Sequence, residues 1–126
     1  MVKTNRFHKQ ERLCSKKHIQ TLFEKGKGFN RYPIRLIHLE TTLDIQFPVQ
    51  VLFVVPKKQF RKAHDRNLLK RRMKEAFRLQ KQELYASLEN RKLLLAFVYN
   101  SKQQEPYKEI EKGLHQCVKS LLNTNR

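Results

Sequence analysis

A long basic segment with helical periodicity lies between two apolar runs that read as strands, and this order restricts the fold more than any other feature. Residues 57–81 hold eleven Lys or Arg, beginning at Lys57 and Lys58, against two acids, Asp65 and Glu75. Upstream, Val49, Val51, Phe53 and Val55 share one face by the two-residue period, and Gln50, Leu52 and Val54 share the other. Both faces are mostly apolar, which predicts a central strand ended by Pro56. Downstream, Leu93 to Val98 is another apolar run. A helix between two such strands predicts a crossover connection within one sheet.

At 100° per residue, Leu69, Met73, Ala76, Phe77, Gln80 and Leu84 fall in one arc of this helix. Lys70, Arg71, Lys74, Arg78 and Lys81 fill the neighbouring arc, so one side buries and the next stays available. No row of acids at i+4 offsets that basic arc; only Glu75 and Glu83 stand nearby. Asp65 reads as the cap of the helix.

The flanking segments complete the pattern. Ser15 offers an N-cap, and Ile19, Leu22 and Phe23 form a stripe that stops at Gly26, which predicts a helix over 15–25. Phe23 lies near the end of that helix, and both a core and an exposed position are open to it. A turn follows at Gly26-Lys27-Gly28, then a strand from Ile34 to Leu39 and a polar loop ending at Pro48. Residues 100–105 read as a turn, and Pro106 suits the first turn of a last helix. Tyr107, Ile110, Leu114, Cys117, Val118 and Leu121 keep the helical rhythm of a cover for a sheet face. The expected organisation is a basic mobile arm over 1–14 and a single domain over 15–126. The expected order is α-β-β-α-β-α, an α/β (α+β) two-layer sandwich.

Charge narrows the function. With 28 Lys and Arg against 11 Asp and Glu in 126 residues, a formal net charge of +17, the chain is built to meet a polyanion. The apolar runs, Val51 to Val55 and Leu93 to Val98, are far short of a membrane span. The N-terminus is charged without an apolar core, so no secretory signal is read and a cytoplasmic protein is expected. Cys14 and Cys117 stand apart and read as free thiols. His115 and Cys117 could join Cys14, His8 or His18 around a metal only without the paired spacing of structural zinc sites, so no metal site is predicted. Glycine-rich phosphate loops, nucleophile elbows and metalloprotease helices are missing from the sequence, and Asp44 and Asp65 are its only aspartates. No catalytic residues are assigned, since a two-metal nuclease needs several convergent carboxylates.

The run Arg66-Asn67-x-x-Lys70-Arg71-x-x-Lys74-Glu75-Ala76-Phe77-Arg78 resembles the signature helix of the bacterial ribonuclease P protein subunit. The resemblance extends in order through Arg12-Leu13, Leu22-Phe23-x-x-Gly26 and Val54-Val55-Pro56-Lys57-Lys58, covering about residues 7 to 122. Leu68 stands where that family has a second arginine, and Pro56 where serine is common. Leu68 projects opposite the core arc, so it puts an apolar side chain where an RNA contact is usual.

The resemblance implies a ribosomal-protein-S5-domain-2-like sandwich with a left-handed βαβ crossover. It also implies the protein half of a ribonucleoprotein endonuclease that removes the 5′ leader of precursor tRNA, with hydrolysis performed by the RNA subunit and Mg²⁺ held mainly there. Arg66, Asn67, Lys70, Arg71, Arg72, Lys74 and Arg78 then match the helix that docks on the catalytic RNA. Ile19, Phe23, Phe53, Lys57 and Lys58 match the cleft for the single-stranded leader, where stacking and phosphate attraction need little sequence preference. Ile19 replaces a frequent second aromatic. The partners implied are the ribonuclease P RNA and precursor tRNA, with no membrane and no obligate protein partner. A ribosomal or other structural RNA-binding protein without a role in cleavage is the competing reading, separated from the first only by leader cleavage. A protein-only nuclease is disfavoured by the carboxylate supply.

Overall fold

The structure is a computed structural model that describes residues 9–42 and 47–124. A 3-10 turn at Lys9–Glu11 leads to α1 (Lys16–Lys25), β1 (Lys27–Arg31), β2 (Ile34–Thr41) and β3 (Val49–Val54). Then follow α2 (Ala63–Leu88), β4 (Lys92–Tyr99) and α3 (Tyr107–Thr124). The four strands form one sheet in the order β1-β2-β4-β3, in which β3 and β4 are parallel and the other pairs antiparallel. The parallel pair makes α2 a crossover, as the order of apolar and basic runs predicts.

Period-two alternation gives the sheet two apolar faces. Ile34 and Leu36 of β2, Val49, Val51 and Phe53 of β3, and Leu93, Leu95, Phe97 and Tyr99 of β4 face α2 and α3 in the main core. Phe53, Phe77 and Phe97 meet there, with ring centroids 5.7 to 6.0 Å apart. On the opposite face Ile37, Leu94 and Ala96 pack with Leu13 and with Leu22 of α1 in a smaller cluster. The sandwich of a sheet and two long helices therefore has α1 laid over part of its other side.

Four expectations are corrected. The segment 27–31 is a strand and not part of a turn: β1 pairs with β2 from Lys27↔His38 to Arg31↔Ile34. Gly26 is required by space, since a Cβ there would sit 2.4 Å from the Leu22 carbonyl oxygen that its own N–H bonds at 2.8 Å. Secondly, β3 is an edge strand and β4 lies inside the sheet. On the outer face of β3, Leu52 packs on the small cluster, and the free edge of the strand is met by Arg12, which bridges Val51, and by Leu13, whose N–H donates to the Val51 carbonyl at 2.9 Å.

Thirdly, packing begins before residue 15. Residues 1–8 of the expected arm lie outside the described residues, but Glu11 and Leu13 are fully buried. Fourthly, α2 starts at Ala63 with Lys62 at the N-cap and no side-chain cap bond. Asp65 sits within the first turn, where its charge suits the helix dipole. The polar loop before Pro48 falls in part on 43–46, outside the described residues.

Candidate nucleic-acid interface

α2 buries Leu69, Met73, Ala76, Phe77, Leu84 and Leu88, close to the arc expected from sequence. Turning the helix by one position from Leu69 exposes the cationic arc. The side chains of Asn67, Lys70 and Arg71 make no hydrogen bond or ion pair among the described residues, and Asn67 and Arg71 are exposed. These groups are left to solvent or a ligand.

Several cations of the same helix are engaged by the protein. Arg66 donates through Nη1 to the carbonyls of Phe60 and Arg61, at 2.8 Å each. It thereby fixes the loop between Lys57-Lys58 and the helix. Arg72 donates to the Glu105 carbonyl at 2.8 Å and holds the turn before α3. Arg78 forms a two-pronged pair with Glu75 at 3.0 and 2.6 Å. The Arg78 hydrogen bond holds the Glu75 carboxyl below its usual range, so this acid stays ionised and offsets one arginine.

Lys81 is a correction to the cationic arc. It is buried against Glu11, with Nζ 2.9 and 3.1 Å from the two carboxylate oxygens, and is unavailable to RNA. Leu68 is half-buried and Lys74 is half-buried.

Across the sheet, register sets out three rows on the α1 face. Asn30, Arg35, Val98 and Val54 are mutual neighbours in one row; Gly28, Ile37, Ala96 and Leu52 form the next; Leu39, Leu94 and Gln50 form the third. α1 covers the middle of this face, where Ile37 and Ala96 are buried. The first row stays open: Asn30 and Arg35 are exposed, and Val54 and Val98 half-buried. This row ends at the exit of β3, where Lys57 and Lys58 are both exposed.

Ile19 and Phe23 lie one turn apart on α1. Ile19 packs on the small cluster, whereas Phe23 is 44% exposed, which decides between its two readings. Phe53 is not with them. It points to the opposite face, into the main core between Phe77 and Phe97, so it is no part of an α1 cleft. The two-residue period separated its face from that of Leu52 and Val54 but contained nothing to say which face α1 would cover. Arg35, Leu52, Val54 and Val98 are residues of the α1 face that sequence reasoning did not single out, and the strand alternation places them there once α1 is docked.

Among the described residues no group of three or more His, Cys, Asp or Glu side chains is arranged to hold a metal ion. Cys14 and Cys117 are both free; Cys117 is buried, which pushes its thiol up to about 12. No helix among the described residues is long and apolar enough to cross a membrane.

A small α+β scaffold with a cationic helix arc on one layer, and an open row and an exposed aromatic on the other, is an RNA-binding protein. Residues 7–122 match the family model described as Ribonuclease P. The ribonuclease P protein component of Porphyromonas gingivalis is 33% identical over 112 residues, spanning 87% of this chain and 82% of that protein. The component from Chlorobium phaeobacteroides is 39% identical over 84 residues, 64% of this chain and 58% of that one. Among solved structures, the Staphylococcus aureus RNase P protein superposes with a TM-score of 0.69 at 18% identity, covering 88% of this chain and 94% of that one. The Thermotoga maritima RNase P protein gives 0.64 at 21%, covering 91% and 97%.

The chain belongs to the ribonuclease P protein family. Its role is in maturation of the tRNA 5′ end, within an endoribonuclease complex and in association with ribonuclease P RNA.

Proposed function

We propose that the protein holds two RNAs on two layers of its fold: ribonuclease P RNA on the cationic arc of α2, and the 5′ leader of precursor tRNA on the α1 face. Asn67, Lys70, Arg71 and Lys74 meet phosphates and 2′-hydroxyls of the folded RNA subunit, a mode that reads shape. Arg66 and Arg72 shape that surface by holding the loops at its two ends. On the other face Phe23 stacks on a leader base, and Arg35, Lys57 and Lys58 attract its phosphates.

The observation that carries this reading is the open row Asn30–Arg35–Val98–Val54, which lies beside α1 and ends at Lys57-Lys58. It has the apolar floor and cationic rim that a single strand read without sequence preference requires. Membership of the ribonuclease P protein family supports assigning Mg²⁺ and phosphodiester hydrolysis to the RNA subunit. The complex acts in the cytoplasm and needs no further protein partner.

Two precursor tRNAs that differ only in leader length test this reading. The assembled enzyme binds the longer leader more tightly, and Phe23→Ala removes that difference. Equal affinity for both lengths in the unaltered enzyme would overturn the α1-face assignment.

A further inference from the structure

Glu11 and Lys81 are 70 residues apart in sequence, and both are almost completely excluded from solvent. Lys81 Nζ donates to both carboxylate oxygens of Glu11, and the Tyr85 hydroxyl donates to Oε2 as well. The Lys81 ammonium also lies 5.9 Å from the centre of the Tyr85 ring. Burial and the adjacent carboxylate push the Tyr85 hydroxyl far up, so it remains a donor throughout the working range.

The position of this cluster is informative. Glu11 is anchored on α2, about two helical turns beyond Lys74. The next residues run along the edge of β3 through Arg12 and Leu13, Leu13 enters the α1-side cluster, and Ser15 caps α1 through the His18 N–H at 3.3 Å. One short segment thus stitches the layer bearing the cationic arc to the layer bearing Phe23.

A buried ion pair is a poor source of stability compared with apolar residues of the same size, but it is directional. The strand-like contact of residues 12–13 with Val51 consists of one bridge and one backbone hydrogen bond, so the ladder is too short to set its register by itself and the buried side chains of Glu11 and Leu13 must do so. A slip of two residues along β3 would carry the start of α1, and Phe23 with it, by about 7 Å relative to the open row.

We propose that Glu11, Lys81 and Tyr85 are positioning residues: a buried register pin that sets where α1 lies on the sheet, and so where the leader is held relative to the RNA-binding helix. The role in leader placement rests on the α1-face reading above, whereas the register itself is measurable without RNA.

The decisive variant is Glu11→Met with Lys81→Met and Tyr85→Phe, which replaces the three mutually bonded polar groups together by apolar groups of similar volume. Glu11→Gln, which keeps the size but drops the charge and turns one accepting oxygen into a donating NH2, serves if the triple variant does not fold. Spin labels on Cys14 and on Gln116→Cys report the distance from the stitched segment to α3. The pin predicts a single narrow distance in the parent protein and a broadened or shifted one in a folded pin variant. In the reconstituted enzyme, the same variant raises KM for a long-leader precursor about fivefold or more, with kcat and affinity for the RNA subunit unchanged.

An unchanged label distance in the folded variant overturns the pin. A changed distance with unchanged preference for the long leader overturns its role in leader placement. If the parent enzyme itself ignores leader length, the α1-face reading fails, and the label distance still decides the pin.

Discussion

Arg66 reaches back along the chain to donate to the Phe60 carbonyl at 2.8 Å, closing the loop that carries Lys57 and Lys58 onto the first turn of α2. A residue of the signature helix is thus committed to shaping the surface around it. Arg66→Ala is expected to cost about 1 kcal/mol of stability by denaturant unfolding, because a charge-assisted bond to partly buried carbonyls is lost. Arg71→Ala, at an exposed position with no hydrogen-bond or ion-pair partner among the described residues, is expected to stay within about 0.5 kcal/mol. Equal stability of the two variants would remove the structural role of Arg66.

Lys70 and Arg71 together are expected to carry a salt-dependent share of RNA affinity. Replacing both by Ala leaves the circular dichroism spectrum unchanged. It lowers the slope of log affinity against log salt for ribonuclease P RNA by roughly 1.5, as expected for two lost phosphate contacts. An unchanged slope would place the RNA subunit on another face.

Phe23 and Phe53 are separated by the sheet, and their alanine variants should fail in different ways. Phe53→Ala opens the aromatic cluster with Phe77 and Phe97 and is expected to cost about 3 kcal/mol. Phe23→Ala leaves the fold nearly as stable but raises KM for precursor tRNA by roughly tenfold, the loss of one stacked base. Thermal unfolding and steady-state kinetics on the same pair of proteins separate the two.

The two cysteines differ in the same checkable manner. Cys14 is exposed, whereas the Cys117 thiol is buried and raised to about 12. Alkylation near neutral pH should modify one thiol in the native protein and both after denaturation. Rapid modification of Cys117 in the native state would contradict the packing of α3 on the sheet.

His38 gives the fold an acid-side sensitivity. Its ring stacks on Phe29 with centroids 5.3 Å apart, and burial together with Lys27 lowers its pKa. As pH falls through about 6.5 the unfolded chain takes up the proton first. The contribution of neutral His38 is therefore complete above that pH and declines below it toward the folded pKa. His38→Gln should flatten the fall in unfolding temperature between about pH 7 and 5. An identical fall in both proteins would assign the acid sensitivity to other groups.

Legibility from sequence followed the range of the interactions involved. α1, α2, α3 and the strands β2, β3 and β4 carry strong apolar periods, and each lies where its period puts it. β1 was hidden because Gly26 and Gly28 signal a turn, while its pairing depends on backbone bonds to β2. The cationic arc was readable up to Lys81, whose burial is set by a glutamate 70 residues away that no local period reveals. The misplacement of Phe53 has the same origin: alternation separates two faces, and only the docking of α1 says which one is a cleft. Arg66 and Arg72 look identical to Arg71 in sequence and differ only in having backbone carbonyls within reach.

Reconstitution tests the central claim most directly. The purified protein is combined with ribonuclease P RNA from the same organism and assayed for removal of the 5′ leader from a precursor tRNA, at limiting and at moderate Mg²⁺. The account predicts efficient cleavage at Mg²⁺ too low for the RNA alone, and loss of that advantage when Lys70 and Arg71 are replaced together. Tight binding to the RNA with no change in cleavage at any Mg²⁺ concentration would contradict it.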